Sequence, residues 1–342
     1  MTELKCIYGE DKTEGLVLIF VHGLGGDLYG TWMSDPKDRA TLWANWVAED
    51  CDCTTWMLGY DASLSAWKDN AMPLPDQGDS VLDCLDSETK LKNRPLLFIG
   101  HSLGGLLIKT VIISGLTKGV ARYSKLIKQV HGVVFIATPH NGAELANLAQ
   151  AVKFSFRTNE QVGDLTLHNA HLRSLHQQFL ARYNQSPFPV RTFAERNPVS
   201  LDKGLLGNLI SKVVVDPASA EPHVPNEIAI PLAEDHFSIC KPKSRDGEGS
   251  QIHKSLIAFI REIINSLNST TENKPLPKSS ENGDYSSSRI INGAVTVQSN
   301  LELMQEKLEH LERALILATD AGIKFQLKKD ISELQQEIER KK

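Results

Sequence analysis

PLLFIGHSLGGLLIKTVIISGL, residues 95–116, decides the fold. Residues 95–99 form a short apolar run, the pattern of a strand buried on both faces. From about Leu103 to Ser114 the period changes, and Leu106, Leu107, Val111 and Ile112 share one face of a helix. Between strand and helix stand Gly100-His101-Ser102-Leu103-Gly104, with Gly105 behind them. A serine on so sharp a turn needs small neighbours two residues to either side, which let the chain fold back and hold the hydroxyl clear of the sheet. The helix starting behind the turn aims N–H groups and positive potential at the same point, where they favour an anionic intermediate. Ser102 is therefore the candidate nucleophile. A glycine-x-serine-x-glycine match alone is common and can be a packing turn; the strand before it and the helix after it give this one its weight.

The alternation extends outward. GLVLIFV at 15–21, TTWML at 54–58, VHGVVFIA at 130–137 and FPVRTF at 188–193 read as strands, and EIAIPLA at 227–233 as the last one. KVVVD at 212–216 is a shorter strand or a loop segment. These runs are largely apolar throughout, as in a mostly parallel sheet with helices on both faces, so the fold class is α/β. Residues 38–50 place Leu42, Trp46 and Val47 on one helical face. The stretch 62–80, broken by Pro73 and Pro75, reads as loop, with a short helix near 80–90. Residues 143–185 lack a strand-like run and are the natural place for a helical cap.

A terminal helix over 251–267 ends a catalytic domain expected to span 1–268. Residues 269–298 read as a flexible linker. In 299–342, Leu301, Met304, Leu308, Leu311 and Leu315 recur at helical spacing, Gly322 interrupts, and Leu327, Ile331, Leu334 and Ile338 resume it. Two amphipathic helices in a hairpin explain this, a module for self-association or for a protein partner.

The net charge of −5 carries no basic surplus that would argue for nucleic acid as the main partner. Five irregularly spaced cysteines form neither a zinc signature nor a disulfide framework, and read as free thiols in a reducing compartment. No stretch reaches the ~18 apolar residues of a membrane span. The expected location is cytoplasmic, with contact to a membrane surface open to it. The loop glycines at 23, 25 and 26 fit neither GxGxxG nor GxxxxGK[ST], which argues against a nucleotide. The chemistry that Ser102 suggests needs no cofactor and no metal.

A serine hydroxyl needs a base, and His236 follows the last strand, after the nucleophile as this architecture requires. His223 is a weaker alternative. The orienting acid is Glu195, just past a strand, with Asp216 as alternative; Asp235 adjoins His236 and has poor geometry for gripping it. The oxyanion donors are expected to be the N–H groups of Leu103 and, from the loop His22-Gly23-Leu24-Gly25-Gly26-Asp27, of Leu24. His22 reads as a brace for that loop, and His101 should point away from the nucleophile. His140 and Asp27 are candidates for the substrate pocket.

VHGLGGD at 21–27, TW at 31–32, LGYDA at 58–62, GHSLGG at 100–105, FIATPHNG at 135–142, PASA at 217–220 and DHFSICK at 235–241 together resemble a family. It is that of the lipase-like α/β hydrolases, which includes serine-active-site-containing and GPI-inositol-deacylase-like proteins and the N-terminal hydrolase domains of NLR-like proteins. The resemblance covers roughly residues 15–265. It implies an α/β-hydrolase fold with Ser102 as nucleophile, His236 as base, Glu195 as acid, and Leu24 and Leu103 at the oxyanion positions. It further implies a serine esterase acting on a lipid or phospholipid acyl ester. The same triad would serve acyl transfer or amide and thioester cleavage, and a non-catalytic adaptor working through the C-terminal hairpin is the remaining alternative.

Overall fold

Val17–Val21 is buried along its whole length. Val17, Ile19 and Val21 enter one hydrophobic cluster, and Leu18 and Phe20 enter the other. The two-residue period of a strand thus sorts a continuous apolar run to both faces of a sheet. Leu96 and Phe98 against Leu97 and Ile99, and Val133 and Phe135 against Val134 and Ile136, divide in the same way.

The structure is a computed structural model that describes residues 2–63, 74–140, 148–152, 168–201, 210–247 and 249–272, with 331, 332 and 335. The chain divides into two units, Met1–Lys274 and Pro275–Lys342. The fold described here is that of the first. In the second, Ile331, Ser332 and Gln335 are helical, and the rest of the expected hairpin lies outside the described residues, as does the linker past 272.

The strands are β1 (Glu3–Tyr8), β2 (Val17–Val21), β3 (Thr54–Gly59), β4 (Leu96–His101), β5 (Val130–Ile136), β6 (Val190–Glu195), β7 (Val199–Leu201), β8 (Ile210–Lys212) and β9 (Ile230–Leu232). Seven of them form one sheet in the order β1-β3-β2-β4-β5-β6-β9. All neighbours are parallel except β1, which runs antiparallel to β3. This is the α/β-hydrolase architecture. The helices are α1 (Trp43–Cys51), α2 (Leu74–Ser87), α3 (Leu103–Thr117), α4 (Ala121–Ile127), α5 (described over 148–152), α6 (His168–Gln185), α7 (Pro217–Ala220) and α8 (Gln251–Glu272). Side chains of α1 and α8 fill one face of the sheet, and those of α2, α3 and α6 the other.

From β2 the chain moves outward to β3, then returns to lay β4 on the other side of β2. The loops after β2 and β4 therefore diverge, which opens a crevice at the carboxyl ends of these strands. Register brings the ends together: Val21 pairs with Gly100, His101 with Ile136, and Glu195 with Leu232.

Several elements differ from the sequence reading, the following three among them. The N-terminal edge strand β1 has no counterpart there, because charged residues break its apolar pattern and only Leu4 and Cys6 pack against the inner cluster on that side. Helix α2 begins at Leu74, inside the stretch read as loop. Pro75 sits in its first turn, where a missing N–H costs nothing, and Asp76 suits the positive helix end. β8 ends at Lys212 and pairs with β7 in a separate two-stranded sheet, so the valines after it are free for another task.

Candidate active site

Only Ser102 separates β4 from α3, with φ 53° and ψ −122°. A residue with a Cβ holds such a conformation only where the surroundings enforce it. Here the Ser102 N–H donates to Ile136 O at 2.8 Å and the Gly105 N–H to Ser102 O at 3.0 Å. The flanking glycines are dictated by contact. A Cβ on Gly100 would stand 2.8 Å from Gly105 N, and one on Gly104 would stand 2.4 Å from Val21 O and 2.5 Å from His22 O.

His236 follows β9 in a turn that Asp235 fastens, its Oδ1 accepting the N–H groups of Phe237 (2.8 Å) and Ser238 (2.9 Å). The imidazole Nε2 lies 2.9 Å from Ser102 Oγ, and Nδ1 lies 2.5 Å from Glu195 Oε2. Glu195 Oε1 accepts the N–H groups of Val214 (2.7 Å) and Val215 (3.0 Å). With one carboxylate oxygen saturated by amides and the other facing Nδ1, the proton belongs on Nδ1. The Nε2 lone pair then faces the hydroxyl. All three side chains are buried.

Asp216, the alternative acid, is occupied elsewhere: its Oδ1 accepts the Ala218 N–H at 2.9 Å and caps α7. Leu103 is the first residue of α3, where helical N–H groups lack partners. Neither its amide nor that of Leu24 meets an acceptor among the described residues, whereas Gly25 and Gly26 donate to Ala62 O (2.7 Å) and Gly23 O (3.0 Å).

Two further histidines brace this centre. His22 Nδ1–H donates to Gly23 O (3.1 Å), its Nε2 accepts the Tyr60 N–H (3.4 Å), and its ring stacks on Tyr60. It is held to the loop on both sides, and burial lowers its pKa. His101 Nε2–H donates to the carbonyl of His236 at 2.8 Å, and its ring lies 5.0 Å from that of His236. Burial, reinforced by the neighbouring His236, takes its pKa well below the ordinary histidine value. Sequence reasoning misses its role in fixing the backbone of His236; only the fold, which brings the end of β4 to the loop after β9, exposes it.

A pocket open to solvent adjoins the site. Gly23–Asp27, Gly30, Thr31, Pro36, His101, His236, Phe237, Cys240 and Lys241 line it. Asp27 stands at the pocket wall, with Oδ1 accepting the N–H groups of Tyr29 and Gly30 at 2.8 Å each. Ser102 lies beneath this lining, 1% exposed. Among the described residues no group of three or more His, Cys, Asp or Glu is placed to hold a metal ion. Among them, too, no helix is long and apolar enough to cross a membrane.

His140, expected at the pocket wall, is instead wholly buried and belongs to a second cluster. Its ring stacks on His176 of α6 at 5.6 Å and meets Phe135 edge-on. Both of its ring nitrogens lack hydrogen-bond partners among the described residues. Lys109 of α3, also wholly buried, places Nζ 2.8 Å from His176 Nδ1 and lies over the rings of Phe135 and Phe179. His176 in turn contacts His223 edge-on. Burial takes the Lys109 amine and the His140 ring well below their ordinary pKa values, and His176 down to about 3.

The model of the family described as "Putative serine esterase (DUF676)" matches residues 12–201. The chain is 27% identical to Protein SERAC1 of Homo sapiens over 266 residues, and 28% identical to that of Danio rerio over 268. Each alignment covers 72% of this chain and 39% of the relative, so the chain spans well under half the length of these curated relatives. Among solved structures, Phospholipase PlaB from Legionella pneumophila superposes with a TM-score of 0.53 at 13% identity, covering 76% of this chain and 62% of that one. At that identity the likeness is one of fold.

Proposed function

Because the chain belongs to this serine esterase family, we propose that it hydrolyses carboxylic esters through an acyl-enzyme on Ser102. The observation that carries the proposal is the unbroken relay from Ser102 Oγ to His236 Nε2 (2.9 Å) and from Nδ1 to Glu195 Oε2 (2.5 Å). Ser102 attacks the carbonyl carbon while His236 Nε2 takes its proton. Glu195 keeps Nδ1 protonated and stabilises the imidazolium. The amides of Leu24 and Leu103 hold the oxyanion, with the α3 terminus adding positive potential. The imidazolium then protonates the departing alcohol, and water repeats the sequence to release the acid.

A lipid or phospholipid acyl ester is the substrate class favoured, since Leu24, Pro36 and Phe237 give the pocket apolar walls. The same reading assigns catalysis to residues 1–268, with 143–185 as cap, and leaves 299–342 as an interaction module. Labelling with a fluorophosphonate tests it. Wild type should label strongly, and Ser102→Ala and His236→Ala should not label at all. A folded wild-type protein that stays unlabelled would overturn the reading.

A further inference from the structure

Thr138 and His140 stand just past β5, in the motif FIATPHNG, and the relay uses neither. Both are wholly buried. Neither the Thr138 hydroxyl nor either ring nitrogen of His140 has a hydrogen-bond partner among the described residues. Thr138 Oγ1 lies 2.1 Å from the point that a Cβ on Gly105 would occupy. Lys109 stands one turn further along the same face of α3. Its amine and His140 share Phe135, the amine 5.4 Å from the ring centroid and the imidazole edge-on at 4.8 Å. Lys109 Nζ–H donates to His176 Nδ1 at 2.8 Å. His176 then carries its own hydrogen on Nε2, which also lacks a partner among the described residues.

The hydrogen-bond account does not balance. One N–H of His140, the Nε2–H of His176, the Thr138 hydroxyl and the remaining hydrogens of Lys109 are buried donors without an oxygen or nitrogen to receive them. The charges that act on His140 are those of Lys109, His176 and His223, and no carboxylate is among them. A surplus of donors in positive surroundings is answered by a group that only accepts and is negative. Water would add two hydrogens of its own.

We propose that Lys109, His140 and His176 form a binding site for a small inorganic anion of the halide class, chloride in the first place, between α3, α6 and the loop after β5. The ion would accept from the free N–H groups and so tie α6 to the helix that begins behind Ser102. The cluster presents Lys109 from α3, His140 from the loop after β5, His176 from α6 and His223 from the loop after α7; among the described residues no carboxylate opposes them. Burial keeps the amine and the rings toward their neutral forms, with His176 down to about 3. The anion therefore enters with a proton, and its affinity rises as pH falls. The line of rings reaches the surface at His223, which is exposed, and this end is the route of entry.

The test is a thermal melt of the full chain in sodium chloride, titrated against sodium gluconate at constant ionic strength. Tm should rise and saturate with chloride, and one unit of acidification below neutrality should tighten the apparent Kd by up to about tenfold. Lys109→Met should weaken it about tenfold or more, as loss of a charge-assisted hydrogen bond would. His140→Phe, which preserves a ring against Phe135, supplies the same comparison if Lys109→Met does not fold. Bromide in crystals should give its anomalous peak beside Lys109 Nζ and His140. Equal melts in chloride and gluconate, a chloride effect unchanged in the variants as for a general salt effect, or bromide bound only elsewhere would each overturn the inference. Ester turnover plays no part in these readouts, so they stand apart from the esterase reading.

Discussion

At the start of α3, His236 lies between Ser102 and Glu195; two turns along the same helix, Lys109 lies against His176, with His140 and His223 about it. Both clusters are buried, both are rich in histidine, and both draw partners from several elements. They differ in one group. The first contains a carboxylate, and each of its protons has a defined donor and acceptor. The second contains no acid among the described residues, its amine rests on aromatic rings, and neither ring nitrogen of His140 has a hydrogen-bond partner there. Burial alone pushes basic groups toward their neutral forms. It takes a correctly aimed carboxylate to turn a buried imidazole into a base that can hold a second proton during turnover.

The largest effect should come from breaking the first cluster at its acid. In Glu195→Gln the side-chain oxygen can keep the Val214 and Val215 amides, but the new amide donates to His236 Nδ1. The ring then carries its proton on Nε2 and cannot accept one from Ser102. A fall in kcat of about 10³–10⁴ is expected, with the fold retained. Steady-state kinetics beside a thermal melt would check both halves.

The second cluster should show itself in acid. The pKa of His176 is about 3 in the folded chain, against an ordinary 6.5. Above that ordinary value neither state holds the extra proton. Below it the unfolded chain takes one up and the folded chain does not, so stability falls as pH drops from 6.5 toward 3. The Lys109 amine, lowered from its own ordinary value of 10.5, also makes stability fall as pH drops, beginning at that higher value. Each such group costs at most about 1.4 kcal/mol per pH unit. Replacing the pair, Lys109→Met with His176→Phe, should recover about 2–3 kcal/mol of the stability lost between pH 7 and 4.5. Urea titrations at the two pH values would measure it, and an unchanged acid slope would sink the account.

The smallest effect belongs to Asp216. Asp216→Ala removes the cap of a four-residue helix and should cost about 1 kcal/mol of stability. A drop in kcat comparable with that of Glu195→Gln would mean that the two carboxylates had been distinguished wrongly.

Much of the sheet is readable from the chain because strands buried on both faces leave uninterrupted apolar runs, as in VLIFV and LLFI. The edge strand β1 is not, since one of its sides is only partly covered and admits charged residues. Pro75 reads as a breaker, although in the first turn of α2 it interrupts nothing. Within the site, Ser102 announces itself through neighbouring glycines, which are local constraints. The hydrogen bond from His101 to the carbonyl of His236 spans 135 positions and leaves no local trace. Lys109 is harder still. In sequence it is one charge on an otherwise apolar helix, where a solvated position is the ordinary expectation, and only packing against α6 reveals it as buried.

The contact of Gly104 with the backbone oxygens of Val21 and His22 reaches beyond steric fit. It seats the helix carrying the Leu103 amide on the strand end that leads to the Leu24 amide, so the two proposed oxyanion donors move as one rigid part. A lineage with this geometry has little freedom to retune its reaction centre one residue at a time. New substrates are reached more readily at the pocket rim, at Asp27, Pro36, Phe237 and Lys241, where side chains can change while the chemistry beneath them is inherited whole.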